Sequence, residues 1–358
     1  MLNSYLFPIS YAFMAFPVAA LICAVPILVL QYRRHGYFNK FRGLLLYLFL
    51  LYMMNALFLV LLPLPASRHN APLSVSSYMQ WMPLNFIRDI MAETAVVWSE
   101  PSTYVRLFKE RAFLQVVFNV FLVVPFGMFM RYYFRVGWSK CLLASFLLSL
   151  FFEVTQVTGI YGIYDYPYRL FDVDDLLLNT TGGMIGAVLS EWLLRHVPWM
   201  GRRLNPEVDL SQKRVSYTRR AIAFATDWMV LSPLLALMAA MDVWGAYFLV
   251  TAVYFMAVPY LTHGKTLGKS LVRIRLVGQG ERLRFREIAI RNGLLYWVWG
   301  GIHVILGAVT FPGVLQLMYV FGVLLIDAFV FMHVAVRLLN RNKTLLHEEK
   351  SGTRHAIT

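Results

Sequence analysis

Long apolar stretches and short polar connections alternate along the chain. Each apolar stretch is about 20 residues long, the length an α-helix needs to cross roughly 30 Å of hydrocarbon. The stretches lie near residues 8–31, 43–64, 112–134, 139–160, 176–197, 220–241, 243–262, 292–310 and 313–336. This pattern predicts an all-α polytopic membrane protein with about nine transmembrane helices.

Basic residues are concentrated in every second connection between these stretches. The connections after the first, third, fifth and seventh stretches carry most of the lysines and arginines, and the C-terminal tail is also basic. Because lysine and arginine mark the cytoplasmic side of a membrane protein, we predict an N-terminus outside and a cytoplasmic C-terminus. The connection 161–175, with four aspartates and one arginine, then lies on the outer side.

The composition excludes most classes of soluble protein. Hydrophobic residues make up 59% and charged residues 15% of the 358 residues, whereas soluble domains have about 45–50% and about 25%. The net charge of +14 follows from the orientation of the connections, so no nucleic-acid partner is predicted. Cys23 and Cys141 both lie in apolar stretches. This placement predicts neither a disulfide framework nor a metal site, and no cofactor is predicted.

A polar segment near residues 198–217 divides the chain into two parts. We predict a first membrane domain of five helices over residues 1–200 and a cytoplasmic linker over 201–216. A second membrane domain of four helices then follows over 217–358.

Polar side chains in the first part lie near the predicted outer side. A carboxylate inside a span costs roughly 2.5–3.5 kcal/mol, so it normally faces a protein interior or a watery cavity. The candidate pocket comprises Asn119, Glu153, Gln156, Arg169, Asp172, Asp175 and Asn179. The plainer alternatives are hydrogen bonds between helices, and capping of a helix that begins near Asp172.

Glycine and proline residues of the first part also predict features of its helices. If a helix begins near Asp172, Gly182 and Gly186 lie on one stripe with Asp175, and glycines four apart allow another helix to approach closely. Pro125 predicts a break in the third stretch.

The motifs of the first part follow one another in a specific order. They are Asn119, Pro125-Phe126-Gly127, Glu153-Val154-Thr155-Gln156, and the polar and glycine positions from Arg169 to Gly186. This order resembles the VanZ-like family, over about residues 40–195. The resemblance implies an integral membrane protein of the bacterial cell envelope, related to one that lowers susceptibility to the lipoglycopeptide teicoplanin. It implies a process rather than a reaction, and the residues show no nucleophile–base pair.

Ionisable side chains also occur in the apolar stretches of the second part. Arg220, Asp227 and Asp327 either pair with Arg291 and other buried groups to fix the helices, or form a proton or cation pathway. Between the stretches, residues 271–277 alternate apolar and basic side chains. This alternation is typical of a short strand or of a segment against anionic headgroups.

A second ordered series of motifs covers the second part. It comprises Arg220, Asp227, the Thr266-Leu267-Gly268-Lys269 segment, Arg291, Asp327 and the tail around His347-Glu348. The series resembles the RDD family over about residues 215–358, which implies a small membrane domain with transport functions. Family tails usually carry His-Asp at the position of His347-Glu348. Either Glu348 or Asp327 therefore takes the place of the second aspartate.

The preferred hypothesis is a protein of the bacterial cell membrane whose outer pocket binds or alters an envelope lipid or a lipid-linked precursor. Its partners would be membrane lipids and anionic headgroups, with Arg169 on a phosphate and Glu153 as base or hydrogen-bond acceptor. One alternative is a cation/proton antiporter or lipid transporter that uses Asp227, Asp327 and Glu153. The other is a non-catalytic membrane scaffold.

Overall fold

The computed structural model describes residues 2–75, 77–97, 99–210, 213–308, 311–339 and 344–358, and most of them are helical. Six helices in these ranges are long and apolar enough to cross a membrane. They are Leu6–His35, Lys40–Leu61, Arg111–Tyr132, Trp138–Val157, Tyr217–Ala240 and Val314–Arg337. They coincide with six of the predicted stretches, which confirms the class of helical membrane protein.

The helices follow the chain in this order: α1 (Leu2–His35), α2 (Lys40–Leu61), α3 (Asn85–Glu93), α4 (Arg111–Tyr132), α5 (Trp138–Val157), α6 (Gly159–Gly162), α7 (Val173–His196), α8 (Pro198–Leu204), α9 (Tyr217–Ala240), α10 (Ala246–Ala252), α11 (Val258–Leu261), α12 (Leu267–Leu271), α13 (Phe285–Asn292), α14 (Gly300–Ala308), α15 (Val314–Leu339) and α16 (Leu346–Ser351). A 3₁₀ helix covers Pro101–Lys109, and π-helical turns cover Val253–Ala257 and Gly293–Trp299.

The other three predicted stretches are helical but less regular. Residues 176–197 lie mostly in α7, which has charged residues near both ends. Residues 243–262 correspond to the shorter apolar helix Ala246–Leu261, which contains a π-helical turn. The stretch 292–310 joins a π-helical turn to α14, and residues 309–310 lie outside the described residues. The total of nine spans and their orientation stay predictions.

The chain forms two compact units. Residues 1–24 and 39–207 form the first unit, and residues 25–38 and 208–358 form the second. The predicted linker 201–216 lies at this division, although α8 covers its first residues. The structure differs from the predicted boundaries in two respects: the end of α1 and the residues after it group with the second unit, and the first unit extends to residue 207.

Glycines allow α4 and α7 of the first unit to come into close contact. A side-chain carbon on Gly182 would overlap the carbonyl oxygen of Val120, and one on Gly186 would overlap that of Val124. The glycine stripe of α7 therefore lets α4 approach to backbone contact, as predicted. The predicted break at Pro125 is wrong, since α4 runs through it without interruption. Close packing on α7 supports the helix where the proline removes one hydrogen bond.

The connection between α2 and α4 is folded against the start of α7. Strand β1 (Met79–Gln80) pairs in parallel with β2 (Phe171–Asp172), with Met79 opposite Phe171. The short helix α3 follows β1. This pairing positions the residues that precede α7.

The second unit contains a two-stranded antiparallel sheet in addition to its long helices. Strand β3 (Ile274–Val277) pairs with β4 (Arg354–Ile357), with Leu276 opposite His355. Ile274 and Leu276 point to the buried side, because alternate residues of a strand share one face. Of the two interpretations of residues 271–277, the short strand is confirmed.

Candidate functional site

Glu153 and Gln156 lie on one face of α5, because residues three apart on a helix are neighbours. Glu153 is 3% exposed, and its Oε2 accepts a 2.9 Å hydrogen bond from the backbone N–H of Asp172. The Nε2 of Gln156 donates to the carbonyl oxygen of Val60 at 2.8 Å. Gln156 thus makes the helix–helix hydrogen bond of the plainer interpretation, whereas Glu153 holds the entry to α7.

Helix α7 begins where the sequence predicts. Asp172 is its N-cap, and the Asp172 Oδ1 accepts a 2.8 Å hydrogen bond from the N–H of Asp174. Asp175, in the first turn, accepts a hydrogen bond from the Nδ2 of Asn119 on α4. The cap and this contact bring predicted residues from two helices together.

Asn179 lies one turn further along α7 and is 3% exposed. Its Nδ2 donates to the hydroxyl oxygen of Ser149 at 2.9 Å. The buried Asn179 Oδ1 accepts no hydrogen bond from any described residue, and the same holds for the Oδ1 of Asn55. Two buried acceptors are therefore left without a donor from the described residues.

These groups line a cavity of about 670 Å³ between α2, α4, α5 and α7, which we name the main cavity. Six of the seven predicted residues line it: Asn119, Glu153, Gln156, Arg169, Asp175 and Asn179. Its other walls are mostly apolar, with Leu59, Leu114 and Phe118 among them. The structure thus brings the predicted polar groups to one cavity with an apolar lining.

A smaller cavity of about 340 Å³ adjoins the main cavity, and we name it the side chamber. Five carboxylates line it: Asp89, Glu93, Asp172, Asp174 and Asp175. Asp175 and Asn119 line both cavities, so they form the wall between them.

Arg111 also lines both cavities and was not among the predicted residues. It is the first residue of α4, and Gln115 and Asn119 follow at intervals of four, so the three share one helix face. This spacing ahead of Asn119 was the available signal in the sequence.

Asp174 is a second residue that was not predicted. Its Oδ1 accepts a 2.6 Å hydrogen bond from the N–H of Leu84, and its Oδ2 accepts one of 2.9 Å from the N–H of Phe86. Because both oxygens are used, Asp174 anchors the start of α3 to α7. No pattern near Asp174 indicates a partner 90 residues away in the sequence.

The side chamber favours positive charge. Burial raises the pKa of Asp172, the hydrogen bond from the N–H of Asp174 partly lowers it, and the carboxylates of Asp174 and Asp89 raise it further. Arg111 is the positively charged residue among those that line the side chamber. A cationic group placed there would relieve the repulsion between the carboxylates.

In the second unit, Asp227 joins α9 to the start of α12. It is 2% exposed and accepts hydrogen bonds of 2.7 Å from the hydroxyls of Tyr254 and Thr266 and from the N–H of Gly268. Both carboxylate oxygens thus have donors, which is the arrangement of a buried group that fixes two elements.

Glu348 is the acid that contacts the arginines of the second series of motifs. Its Oε1 lies 3.0 Å from Nη1 of Arg220 and 3.3 Å from Nη2 of Arg291. The Nη1 of Arg291 donates to the hydroxyl of Thr353 at 3.0 Å. The side chains of Glu348 and Arg291 are each 5% exposed. We name Arg220, Arg291 and Glu348 the charged cluster.

Asp327 has different partners. Its Oδ2 lies 3.0 Å from Nε2 of His303, and its Oδ1 accepts a 2.8 Å hydrogen bond from the indole N–H of Trp299. Of the two candidate acids, Glu348 therefore occupies the position beside both arginines.

Lys269 and His347 lie within the electrostatic influence of the charged cluster. Burial and then the positive charge of Arg291 lower the pKa of Lys269 to about 8. The same two causes lower the pKa of His347 to about 3. Both side chains are more easily deprotonated than in water because burial disfavours their charged forms and the positive charge of Arg291 adds to this effect.

Arg219, next to Arg220, is the largest buried polar side chain of the second unit that was not predicted. Its guanidinium donates to the carbonyl oxygens of Val272 at 2.5 Å, Gly36 at 2.7 Å and Arg273 at 2.8 Å. It also lies over the ring of Tyr32, 4.6 Å from the ring centroid. Arg219 thus ties the residue after α1 to the two residues that precede β3.

We expect acid to release the C-terminal segment 346–357. Burial and the charge of Arg291 hold the pKa of His355 well below its ordinary value. The unfolded segment therefore binds this proton more tightly, and stability falls as the pH drops below about 6.5. Burial would raise the pKa of Glu348, but His355, Arg291 and Arg220 lower it overall, so its contribution is lost below about pH 4.3.

Hydrogen–deuterium exchange of residues 346–357 between pH 8 and pH 4, corrected for the intrinsic exchange rate, measures this release. Protection should decrease progressively toward acid, and His355→Gln should shift the loss to lower pH. Equal protection at pH 7 and pH 5 would contradict the assigned role of His355.

Together these features indicate a helical membrane protein of two units, the first with a cavity that combines polar groups and apolar walls and the second with a largely buried charged cluster. Comparison with family models matches VanZ/LLP1 to residues 49–194 and the RDD family to residues 214–347. The chain therefore carries a VanZ-like domain and an RDD domain in tandem. This pair of domains points to a bacterial membrane protein. Comparisons with curated proteins and with solved structures find no match.

Proposed function

We propose that this protein acts in the bacterial cell membrane, where its main cavity binds or alters an envelope lipid or a lipid-linked precursor and so lowers susceptibility to teicoplanin-type glycopeptides. The observation that carries the proposal is the main cavity, which combines apolar walls with the buried carboxylate of Glu153 and the guanidinium groups of Arg111 and Arg169. A lipid has the matching chemistry, because its chain needs an apolar surface and its phosphate suits the planar fork of arginine.

The proposal includes the topology of the chain. With nine spans, an outer N-terminus and a cytoplasmic C-terminus, the connection 161–175 lies outside. The main cavity is then accessible from the outer leaflet, where lipid-linked precursors are used. The basic connections of the second part face the anionic inner leaflet.

Within the main cavity, Glu153 has two roles that its geometry supports. One oxygen holds the N–H of Asp172 at the start of α7. The other oxygen accepts no hydrogen bond from the part of the chain that the structure describes, and it can accept a hydrogen bond or a proton from the bound lipid. Asn179 supplies a second acceptor in the same cavity.

The test is teicoplanin susceptibility of a sensitive bacterial strain that expresses the protein. We expect the wild-type protein to lower susceptibility, and Glu153→Gln to return it to the level of the empty vector. Glu100→Gln is the matched control, because this exposed glutamate lies outside both cavities. Size-exclusion profiles of the tagged proteins show whether each variant is folded. If the folded wild-type protein and the empty vector give equal susceptibility, the proposal fails.

A further inference from the structure

The two cavities of the first unit differ in the chemistry of their walls. The main cavity is lined by apolar side chains of α2 and α4, including Leu59, Leu114 and Phe118. The side chamber is lined by residues of α3, of the first turns of α4 and of the start of α7, and most of them are polar or acidic. A ligand that occupies both needs an apolar part and a charged part.

Arg111 lies at the boundary of these two environments, since it lines both cavities. Its guanidinium is always charged and matches a phosphate in a bidentate geometry. An anionic group at Arg111 would place the apolar part of a ligand in the main cavity and the remainder of its head group in the side chamber.

Two carboxylates in the side chamber each use only one of their oxygens to accept a hydrogen bond from the described residues. Asp89 accepts through Oδ2 from the Nδ2 of Asn85 at 3.2 Å, and Glu93 accepts through Oε2 from the N–H of Ala112 at 3.0 Å. Their second oxygens accept no hydrogen bond from the residues that the structure describes. Free carboxylate oxygens around one cavity attract a cation that carries its own donors, such as a primary ammonium group.

The main cavity also contains acceptors that have no donor among the described residues. Asn179 is 3% exposed, and its Oδ1 has no donor within the described ranges of the chain. Glu153 is equally buried and uses only Oε2. A buried acceptor without a donor is costly, so these acceptors favour a ligand that carries hydrogen-bond donors, such as a hydroxyl or an ammonium group, over a bare hydrocarbon.

We propose that the ligand is a membrane phospholipid whose head group carries a primary ammonium, with its chain in the main cavity, its phosphate at Arg111 and its ammonium in the side chamber. This inference rests on the proposed function and names the class of lipid. The order of apolar wall, guanidinium and carboxylates along the two cavities matches the order of chain, phosphate and amine in such a lipid.

The test measures lipid binding to the full-length protein in detergent. A fluorescent phosphatidylglycerol is displaced by unlabelled phosphatidylglycerol, by phosphatidylethanolamine or by lysyl-phosphatidylglycerol. We expect the two amine-bearing lipids to bind about tenfold more tightly than phosphatidylglycerol, since each adds an ammonium opposite the carboxylates. The amine-bearing lipid that binds more tightly identifies the source of the amine.

Variants assign the preference to the side chamber. Asp89→Asn and Glu93→Gln should each reduce the preference for amine-bearing lipids over phosphatidylglycerol to about threefold or less. Arg111→Gln should weaken all three lipids, and Glu100→Gln should weaken none.

Three outcomes separate this inference from the proposed function. Equal affinity of the wild-type protein for all three lipids overturns the ammonium assignment while the lipid-binding function stands. A preference that persists unchanged in both Asp89→Asn and Glu93→Gln also overturns the assignment to the side chamber. If no lipid displaces the probe from the folded protein, the proposed function fails as well.

Discussion

Replacement of Glu348 by glutamine is expected to destabilise the second unit by about 3–5 kcal/mol, because it leaves the buried guanidinium of Arg291 and the partly buried one of Arg220 without their carboxylate. Arg291 is 5% exposed in its side chain and pairs with the same Oε1 atom as Arg220. The midpoint of thermal denaturation in detergent, followed by tryptophan fluorescence, measures the loss.

Two variants control this experiment. Glu349→Gln changes the exposed neighbouring glutamate and should alter stability by less than about 0.5 kcal/mol. Asp327→Asn removes the other candidate acid, whose side chain is 35% exposed and pairs with His303. We expect a smaller loss of stability at this more exposed pair, which involves no buried guanidinium. If Asp327→Asn destabilises the protein more than Glu348→Gln, the assignment of Glu348 to the charged cluster is wrong.

Alanine at Gly182 or Gly186 is expected to force α4 and α7 apart. In each case the new methyl group would overlap a backbone carbonyl oxygen of α4, at Val120 or Val124, and no side-chain rotation relieves that overlap. We expect a cost of about 2–3 kcal/mol for each substitution, at the upper part of the range for overpacked cores. The denaturation midpoint of the purified protein measures it.

The same substitutions should also weaken lipid binding at the main cavity. Asn119 precedes Val120 on α4 and hydrogen-bonds Asp175 on α7, so a wider gap between the helices separates this pair. Gly322→Ala in α15 is the matched control, because nothing lies within 4 Å of the position of its new methyl group. Alanine has the higher helix propensity, so this variant should be neutral or up to about 1 kcal/mol more stable. Equal midpoints for Gly182→Ala and Gly322→Ala would show that the helices are not in backbone contact.

Local patterns predicted the candidate site where neighbouring residues carry the information. Asp172 is a favourable N-cap followed by acidic residues, and these features place the start of α7 correctly. The spacing of Glu153 and Gln156 predicted a shared face. The stripe of Gly182 and Gly186 predicted a close helix contact, which the structure shows.

Pairings between distant segments were less accessible to sequence reasoning. The bond between Arg220 and Glu348 joins residues 128 positions apart, and no local pattern distinguishes Glu348 from Asp327 as the partner. In the sequence, Arg111 is indistinguishable from other charged residues in the connections. Only the packing of α4 against α7 shows that it lines both cavities. The break predicted at Pro125 was wrong for the same reason, since support from a packed neighbour overrides local preference.

The buried guanidinium of Arg219 bears on how far the two tandem domains are modular. Two of its contacts, the carbonyl oxygen of Gly36 and the ring of Tyr32, come from a segment that precedes the whole VanZ-like domain. A fragment limited to the RDD match at residues 214–347 would lack both, and would also lack strand β4. A fragment cut at the ends of the RDD match would therefore lack parts of its own unit. The cause is the order of the sequence, since residues 39–207 of the first unit lie between two segments of the second unit.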